Sequence, residues 1–174
     1  MRLFIAVAFP PEVKTALAAQ TAALRRAGVR GRFSREENLH LTLAFLGEQP
    51  PAGRDAAIRA MERCSAAAFP VTVGGYGTFR GGRDGDVLYR RIEGGEALAG
   101  LHRRLSQALA AEGFALERRD FRPHLTLARG VPRAKDPLPA AEPLACTADA
   151  MTLFLSEQIQ GRRVYTPLHV TAFQ

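Results

Sequence analysis

A continuous run of apolar residues near the start of the chain is followed by apolar residues that recur every three or four positions, which predicts a strand and then a helix. The strand is predicted at Arg2–Phe9. The helix is predicted from Pro11 to about Gly28, because proline and glycine commonly stand at the two ends of a helix. A second strand-like run follows at Asn38–Gly47. The first half of the chain is therefore predicted to be strand, helix, strand.

The second half of the chain repeats this order of elements. A strand is predicted at Asp86–Ile92, a helix with a leucine stripe from Glu96 to about Glu112, and another strand at Arg122–Arg129. Because both the order and the spacing recur, the pattern indicates a duplicated unit with pseudo-twofold symmetry.

The tetrapeptide His-Leu-Thr-Leu occurs in both strand-like runs, at His40–Leu43 and at His124–Leu127, 84 positions apart. The offset from the preceding strand is also kept, since Phe4 and Leu88 each precede their histidine by 36 positions. Side chains alternate between the faces of a strand, so each histidine shares a face with its threonine and the leucines take the other face. Two such strands facing each other would place two imidazoles across one cleft.

The remaining segments complete a mixed domain. A helix is predicted from Asp55 to about Ala66, and the Pro- and Ala-rich stretch Pro132–Pro143 is predicted to be a loop. Further strands are predicted at Phe69–Phe79, Ala145–Ser156 and Arg163–Phe173. This order predicts an α+β fold of mostly antiparallel sheets with helices packed outside. A chain of 174 residues without a clear linker predicts one domain over residues 1–174.

A histidine beside a threonine suits acid–base chemistry on a phosphate group. The imidazole has an ordinary pKa of about 6.5, and two imidazoles can divide the work of activating water and protonating a leaving oxygen. The threonine hydroxyl can donate a hydrogen bond to a phosphate oxygen as negative charge grows in the transition state. No carboxylate recurs at a fixed offset in the two motifs, so a metal site is not predicted.

The net charge of +7 is carried almost wholly by arginine, since Lys14 and Lys135 are the only lysines among 24 basic residues. Arginine binds phosphate through a planar fork, which fits a polyanionic partner, although a proteome rich in Arg and Ala would give the same composition. Cys64 and Cys146 are too few for a disulfide framework. A pair of prolines interrupts the apolar N-terminus and no apolar run reaches roughly 18 residues, so a cytoplasmic protein without a membrane span is expected.

Arg129 and Tyr165 could also contribute to a site, whereas the two remaining histidines are expected to lie outside it. Strict alternation would put Arg129 on the leucine face, whereas a bulge would turn it towards the histidine face. Tyr165 could stack on a base or be a half-buried residue of a sheet. His102 lies off the leucine stripe of its helix and is expected to be exposed, and His169, on the face of Tyr165, is expected to be structural.

Four segments of the chain resemble the 2H phosphoesterases, a superfamily named for two His-x-[Ser/Thr]-x motifs, and within it the RNA 2′,3′-cyclic phosphodiesterases or LigT-like 2′-5′ RNA ligases. The segments are Asn38–Gly47, Pro123–Arg129, Arg2–Ala6 and Gly161–Leu168. The resemblance implies a bilobal α+β fold with a central cleft. It also implies hydrolysis, without a metal or other cofactor, of the 2′,3′-cyclic phosphate of RNA ends or cyclic nucleotides to a 2′-phosphate, together with reversible 2′-5′ RNA ligation.

The resemblance also implies roles for individual residues. The acid–base pair corresponds to His40 and His124, with His40 as the acid in our working hypothesis, although the sequence leaves that assignment open. The phosphate-binding residues correspond to Thr42, Thr126 and Arg129. An aromatic residue of the first strand helps to form the family's site, and the matching position here is Ile5. The nucleotide contacts are therefore expected from Phe4, Ile5 and Tyr165.

Two alternatives remain at this point. One is a module that binds RNA ends without turnover, which would have no need of two proton-transfer groups. The other is a related diesterase that acts on 2′-5′ oligonucleotides or on cyclic ADP-ribose phosphate. A monomer is expected in each case.

Overall fold

A computed structural model describes residues 1–64, 66–117, 119–132 and 138–174. Within these residues the chain forms nine strands, three α-helices and two short 3-10 helices, at Glu36–Asn38 and Gly82–Asp84. The strands are β1 (Arg2–Ala8), β2 (Arg32–Phe33), β3 (His40–Glu48), β4 (Phe69–Phe79), β5 (Asp86–Glu93), β6 (His124–Val131), β7 (Leu144–Ala148), β8 (Ala150–Ile159) and β9 (Arg162–Ala172). The helices are α1 (Pro11–Arg26), α2 (Pro51–Glu62) and α3 (Gly95–Ala111).

The strands form two antiparallel sheets, in the orders β3-β1-β8-β9 and β2-β6-β5-β4-β7. The predicted α+β fold is thereby confirmed. Each sheet takes strands from both halves of the chain, because β8 and β9 return to the first sheet and β2 adds to the second. The two lobes are therefore interleaved.

Two predicted details of the elements were wrong. The segment Ala145–Ser156 was expected to be one strand but is two, β7 and β8, which lie in different sheets. Helix α2 begins at Pro51, four residues before the predicted start, because proline is well suited to the first turn of a helix. The equal offset of 36 positions in the sequence does not extend to the register, since Ala8 pairs with His40 and Arg91, not Ile92, pairs with His124.

Helices α1 and α3 each follow a strand of one sheet and contact the other sheet. Helix α1 follows β1 of the first sheet, but its Gln20 accepts a hydrogen bond from the fully buried Arg90 of β5 in the second sheet. Helix α3 follows β5, yet it contacts β3 of the first sheet and packs on α2. The leucine stripe of α3 is fully buried, and each such side chain contributes about 1.5–3 kcal/mol of burial free energy.

Two further expectations concern the loops and the membrane. Residues 133–137 of the predicted Pro132–Pro143 loop lie outside the described residues. In the part of the chain that the structure covers, no helix combines the length and the apolar character needed to cross a membrane.

Candidate active site

Both copies of the tetrapeptide alternate as predicted. In each copy the histidine and threonine are partly exposed, whereas the two leucines are buried. The two segments are His40–Leu43, at the start of β3, and His124–Leu127, at the start of β6. The sequence places each pair of polar side chains on one face because a strand has a period of two.

The two motifs lie on either side of one cleft. Strands β3 and β6 contact each other although they belong to different sheets. Thr42 of the first motif and His124 of the second line the same cavity, whose volume is about 920 Å³. A positive charge on His124 is also close enough to His40 to lower its pKa. The two motifs therefore border one cavity.

Each imidazole is held by the same backbone contact. The Nδ1 of His40 lies 2.7 Å from the carbonyl oxygen of Asn38, and the Nδ1 of His124 lies 2.6 Å from that of Arg122. A carbonyl oxygen only accepts hydrogen bonds, so Nδ1 carries the proton and donates in both rings. In the neutral rings the lone pair is therefore on Nε2, where it can accept a proton from substrate or water.

The threonine of the first motif is bonded to its histidine. The Thr42 Oγ1 lies 3.0 Å from the Nε2 of His40, so the hydroxyl donates to this nitrogen when the imidazole is neutral. When the imidazole is protonated, the direction reverses and the hydroxyl proton becomes free to donate to a phosphate oxygen. The protonation state of the histidine thus controls what the hydroxyl offers to a substrate.

Burial separates the acidities of the two histidines. The pKa of His40 falls from 6.5 to about 4, chiefly because burial disfavours the imidazolium, with further lowering by the charges of Lys14, His124 and Arg129. The pKa of His124 is also lowered, first by burial and then by Arg129. The backbone hydrogen bond on Nδ1 opposes the shift in each ring.

Aromatic rings flank both imidazoles. Around His40, the ring centroids of Phe4 and Tyr165 lie 4.9 Å and 5.2 Å from that of the imidazole. Around His124, those of Phe79 and Tyr89 lie 4.9 Å and 5.3 Å away. These rings desolvate the imidazoles and limit their rotation, which fixes the direction in which Nε2 points.

The expected nucleotide contacts from the first strand are corrected by this geometry. Ile5 is fully buried in the core, on the face of β1 opposite to Phe4, so the proposal that it contacts a nucleotide was wrong. Phe4 lies on the histidine face but is only 3% exposed, so it supports His40 rather than reaching a ligand. Tyr165 is half-buried and stands edge-on to His40.

A bulge in β6 determines the face of the strand on which Arg129 lies. Ala128 pairs with Leu88 and Thr126 pairs with Tyr89, so Leu127 is an extra residue in the strand. Leu127 and Ala128 are then both buried, and the next side chain, Arg129, returns to the histidine face. Its charge lowers the pKa of both histidines, in agreement with this position.

The same bulge occurs in β3. Ala44 pairs with Ile5 and Thr42 pairs with Ala6, so Leu43 is the extra residue. The side chain turned to the cleft is Phe45, which is 58% exposed and lines the cavity. The sequence reasoning missed this residue, although it stands five positions after His40, as Arg129 stands five positions after His124.

Other cleft residues gave a weaker signal in the sequence. Phe79 and Tyr89 reach His124 from neighbouring strands, which only the register reveals. Lys14 lies on α1, and its Nζ donates to the carbonyl oxygen of Glu37, just before the first motif. Its charge acts on His40 although the two residues are far apart in the sequence.

The two remaining histidines differ from their expected settings. His102 was expected to be exposed, but it is half-buried, stacks on Phe121 and lines the cavity. His169 was expected on the face of Tyr165, but a bulge in β9 puts it on the other face, 3.7 Å from a carboxylate oxygen of Glu62. Among the residues that the structure describes, no three His, Cys, Asp or Glu side chains form a group that could hold a metal ion.

Comparison with known proteins identifies relatives of the chain. A sequence profile of the 2′-5′ RNA ligase superfamily matches residues 11–159. The chain is 34% identical over 128 residues to the RNA 2′,3′-cyclic phosphodiesterase of Geobacillus stearothermophilus, a match that covers 72% of this chain and 41% of that protein. It is 30% identical over 167 residues to the RNA 2′,3′-cyclic phosphodiesterase of Escherichia coli, covering 96% of this chain and 93% of that one.

The fold is also similar to solved structures over nearly its whole length. The apo crystal structure of E. coli LigT matches with a TM-score of 0.85 and 29% identity, covering 99% of this chain and 96% of that one. The crystal structure of E. coli LigT complexed with 3′-AMP matches with a TM-score of 0.83 and 29% identity, covering 99% and 97%.

Proposed function

The chain belongs to the 2′-5′ RNA ligase superfamily, and from this premise we propose that it is an RNA 2′,3′-cyclic phosphodiesterase that uses His40 and His124 as its acid–base pair. The observation that carries the proposal is the matched pair of imidazoles, each anchored through Nδ1 to a backbone carbonyl, on two strands that contact each other. We further infer one functional domain over residues 1–174, since both sheets take strands from both halves of the chain.

The reaction needs one base and one acid on opposite sides of the phosphorus. The base takes a proton from water as the water oxygen bonds to phosphorus, and the acid gives a proton to the 3′ oxygen as the P–O3′ bond breaks. The products are a 2′-phosphate and a free 3′-hydroxyl. If a 5′-hydroxyl of another RNA takes the place of water, the same two steps join the strands by a 2′-5′ bond, and the reverse reaction cleaves that bond.

The difference in burial favours His40 as the base and His124 as the acid, the reverse of our working hypothesis. An imidazole with a pKa of about 4 is neutral at pH 7, so the Nε2 of His40 can accept a proton from water once the Thr42 hydroxyl turns from this nitrogen to the phosphate. His124 is the less desolvated ring and is the easier of the two to protonate. A bound phosphate anion raises the pKa of both rings, and the imidazolium forms more readily at His124.

Three groups are proposed to hold the phosphate. Arg129 presents a planar guanidinium that can donate two hydrogen bonds to non-bridging oxygens. Thr42 and Thr126 each offer a hydroxyl on the face of the adjacent histidine. These donors stabilise the additional negative charge of the pentavalent transition state, where each is worth more than in the ground state.

The alternatives differ in measurable ways. A module that only binds RNA ends would bind cyclic-ended RNA and release no product. A diesterase specific for 2′-5′ oligonucleotides or cyclic ADP-ribose phosphate would turn over those substrates and leave a 2′,3′-cyclic nucleotide intact. The presence of two anchored imidazoles favours turnover, since binding alone does not require proton transfer.

The decisive experiment is hydrolysis of 2′,3′-cyclic AMP and of a cyclic-ended RNA in the presence of EDTA, with the product identified by ³¹P NMR. We expect the 2′-phosphate, because the 3′ oxygen is the proposed leaving group. Single His40→Ala and His124→Ala variants should each lose a factor of roughly 100 to 10,000 in kcat. Full activity in either variant, or a 3′-phosphate product, would contradict the proposal.

A further inference from the structure

The cavity extends well beyond the two imidazoles. Its volume of about 920 Å³ is near the upper end of the roughly 300–1,000 Å³ that ligand cavities usually have. Thr42, Phe45 and Phe79 line the end near the histidines. A second group of lining residues, which we term the α3 end, comprises His102, Ser106, Phe121 and Arg122. A terminal nucleotide held at the histidines therefore leaves the α3 end for another part of the substrate.

The α3 end contains a stacked pair of rings. The ring centroids of His102 and Phe121 lie 3.9 Å apart, and their planes are nearly parallel, at 3°. Both side chains are half-buried, and burial lowers the pKa of His102, so its ring is neutral at pH 7. Flat neutral rings are the surfaces on which nucleobases stack, and each stacked base contributes about 1–3 kcal/mol.

The polar residues beside the stacked pair carry both signs of charge. They are Glu117, Arg119, Asp120 and Arg122. The carbonyl oxygen of Arg122 accepts the hydrogen bond from the Nδ1 of His124, so a phosphodiester that leads away from the histidines would pass close to Arg122. Ser106 lies one helical turn after His102 on the same face of α3, where its hydroxyl can bond a base edge or a ribose.

We propose that the α3 end binds the base of the penultimate nucleotide of the RNA, so that the preferred substrate is a cyclic-ended RNA of at least two nucleotides. This inference rests on the proposed function, because the cyclic phosphate must lie at His40 and His124 for the preceding nucleotide to reach α3. The stacked rings supply affinity without sequence preference, since every base has an aromatic face.

The test compares three substrates with the same terminal nucleotide: a 2′,3′-cyclic mononucleotide, the corresponding cyclic-ended dinucleotide, and that dinucleotide with an abasic first position. We expect kcat/KM to be roughly 5- to 100-fold higher for the dinucleotide than for the mononucleotide, and the abasic substrate to lose this advantage. Equal kcat/KM for the first two substrates, or an advantage that persists in the abasic one, would overturn the inference.

Variants of the stacked pair provide the second readout. His102→Ala and Phe121→Leu should reduce the ratio of dinucleotide to mononucleotide kcat/KM towards one, mainly through KM, and His102→Tyr, which keeps a flat ring, should retain most of it. Gln107→Ala is the matched control, because this exposed residue of α3 does not line the cavity. A ratio that His102→Ala leaves unchanged would also overturn the inference.

Failure of the proposed function gives a different result. If neither mononucleotide nor dinucleotide is hydrolysed, the phosphodiesterase assignment fails, and the α3 end is tested by calorimetric binding instead. A dinucleotide 2′-phosphate should then bind more tightly than a mononucleotide 2′-phosphate in the unmodified protein and not in His102→Ala. Equal affinities for the two ligands would reject the penultimate-base site.

Discussion

Phe45 and Arg129 occupy matching positions in the two copies of the motif, and a one-residue bulge turns each of them to the face of its histidine. The equivalent position is thus an aromatic residue in the first copy and an arginine in the second. The bulge is common to both copies, whereas the side chain that it presents differs in chemistry.

We predict that both the charge and the planar shape of the Arg129 side chain contribute to kcat/KM. Arg129→Ala should lower kcat/KM by roughly 10- to 150-fold, the equivalent of 1.5–3 kcal/mol for a hydrogen bond to a charged group. Arg129→Lys should recover only part of this loss, since an ammonium does not reproduce the planar fork. Steady-state kinetics on a cyclic mononucleotide measures both effects.

The control for that prediction makes the same change in net charge at a residue away from the cleft. Arg54 is an exposed residue of α2 that pairs with Asp55, and Arg54→Ala should leave kcat/KM within about twofold of the original value. An equal loss in both variants would mean that overall charge, and not a contact at the phosphate, is what matters.

The face on which Arg129 lies could not be predicted from the sequence. Alternation correctly placed His40 and His124 beside their threonines, since each of these residues precedes the bulge in its strand. A bulge depends on how two strands register, and this cannot be read from the period of one strand. Comparison of the two copies would have identified Phe45, because it occupies the position that Arg129 occupies in the second copy.

The predicted family and fold class are confirmed, but the assembly of the lobes was not foreseen. Hydrophobic periodicity identifies an element, whereas the choice of sheet depends on contacts between distant segments. The pattern of Ala145–Ser156 therefore predicts one strand, although its two parts lie in different sheets. Pairings such as those of Arg90 with Gln20 and of His102 with Phe121 are likewise tertiary and have no local signal.

The proposed roles of the two histidines predict that their alanine variants respond differently to a substrate with a better leaving group. A cyclic substrate with sulfur in place of the 3′ oxygen has a leaving group that departs without a proton. His124→Ala should therefore regain most of its lost activity on the sulfur substrate, whereas His40→Ala should stay impaired, because water must still be activated. Single-turnover rates on the two substrates distinguish the cases, and recovery in His40→Ala alone would reverse the assignment.

The depressed pKa of His40 predicts a loss of stability in acid. Between its unfolded pKa of 6.5 and its folded pKa of about 4, the unfolded chain binds a proton that the folded protein does not. The contribution of this residue to the free energy of unfolding is therefore fully present above pH 6.5 and falls by about 3 kcal/mol as the pH approaches 4. Urea unfolding at several pH values between 7.5 and 4 measures it.

A variant without a titrating group isolates the contribution of His40 from that of the carboxylates. His40→Gln should show a shallower decline in unfolding free energy over this range than the unmodified protein does. The two proteins should differ most in slope between pH 6.5 and pH 4. Parallel curves would show that the pKa of His40 is not depressed in the folded state.

Gly77 is predicted to set the position of the ring beside His124. It pairs with Tyr89 across β4 and β5, and a Cβ at this glycine would collide with the far end of the Tyr89 ring. That ring is confined, since its centroid lies 4.3 Å from that of Phe79 and 5.3 Å from that of His124. Gly77→Ala should cost about 1–3 kcal/mol of stability and also lower kcat, because the displaced ring no longer holds the imidazole.

A double-mutant cycle shows whether the loss arises from that collision. In a Tyr89→Leu background the ring is absent, so adding Gly77→Ala should cost much less stability and activity than it does in the unmodified protein. The coupling energy from chemical unfolding and the ratio of kcat values report the two effects separately. Independent, additive losses would mean that the glycine is needed for the backbone of β4 and not for the ring, and the proposed link from Gly77 through Tyr89 to His124 would be rejected.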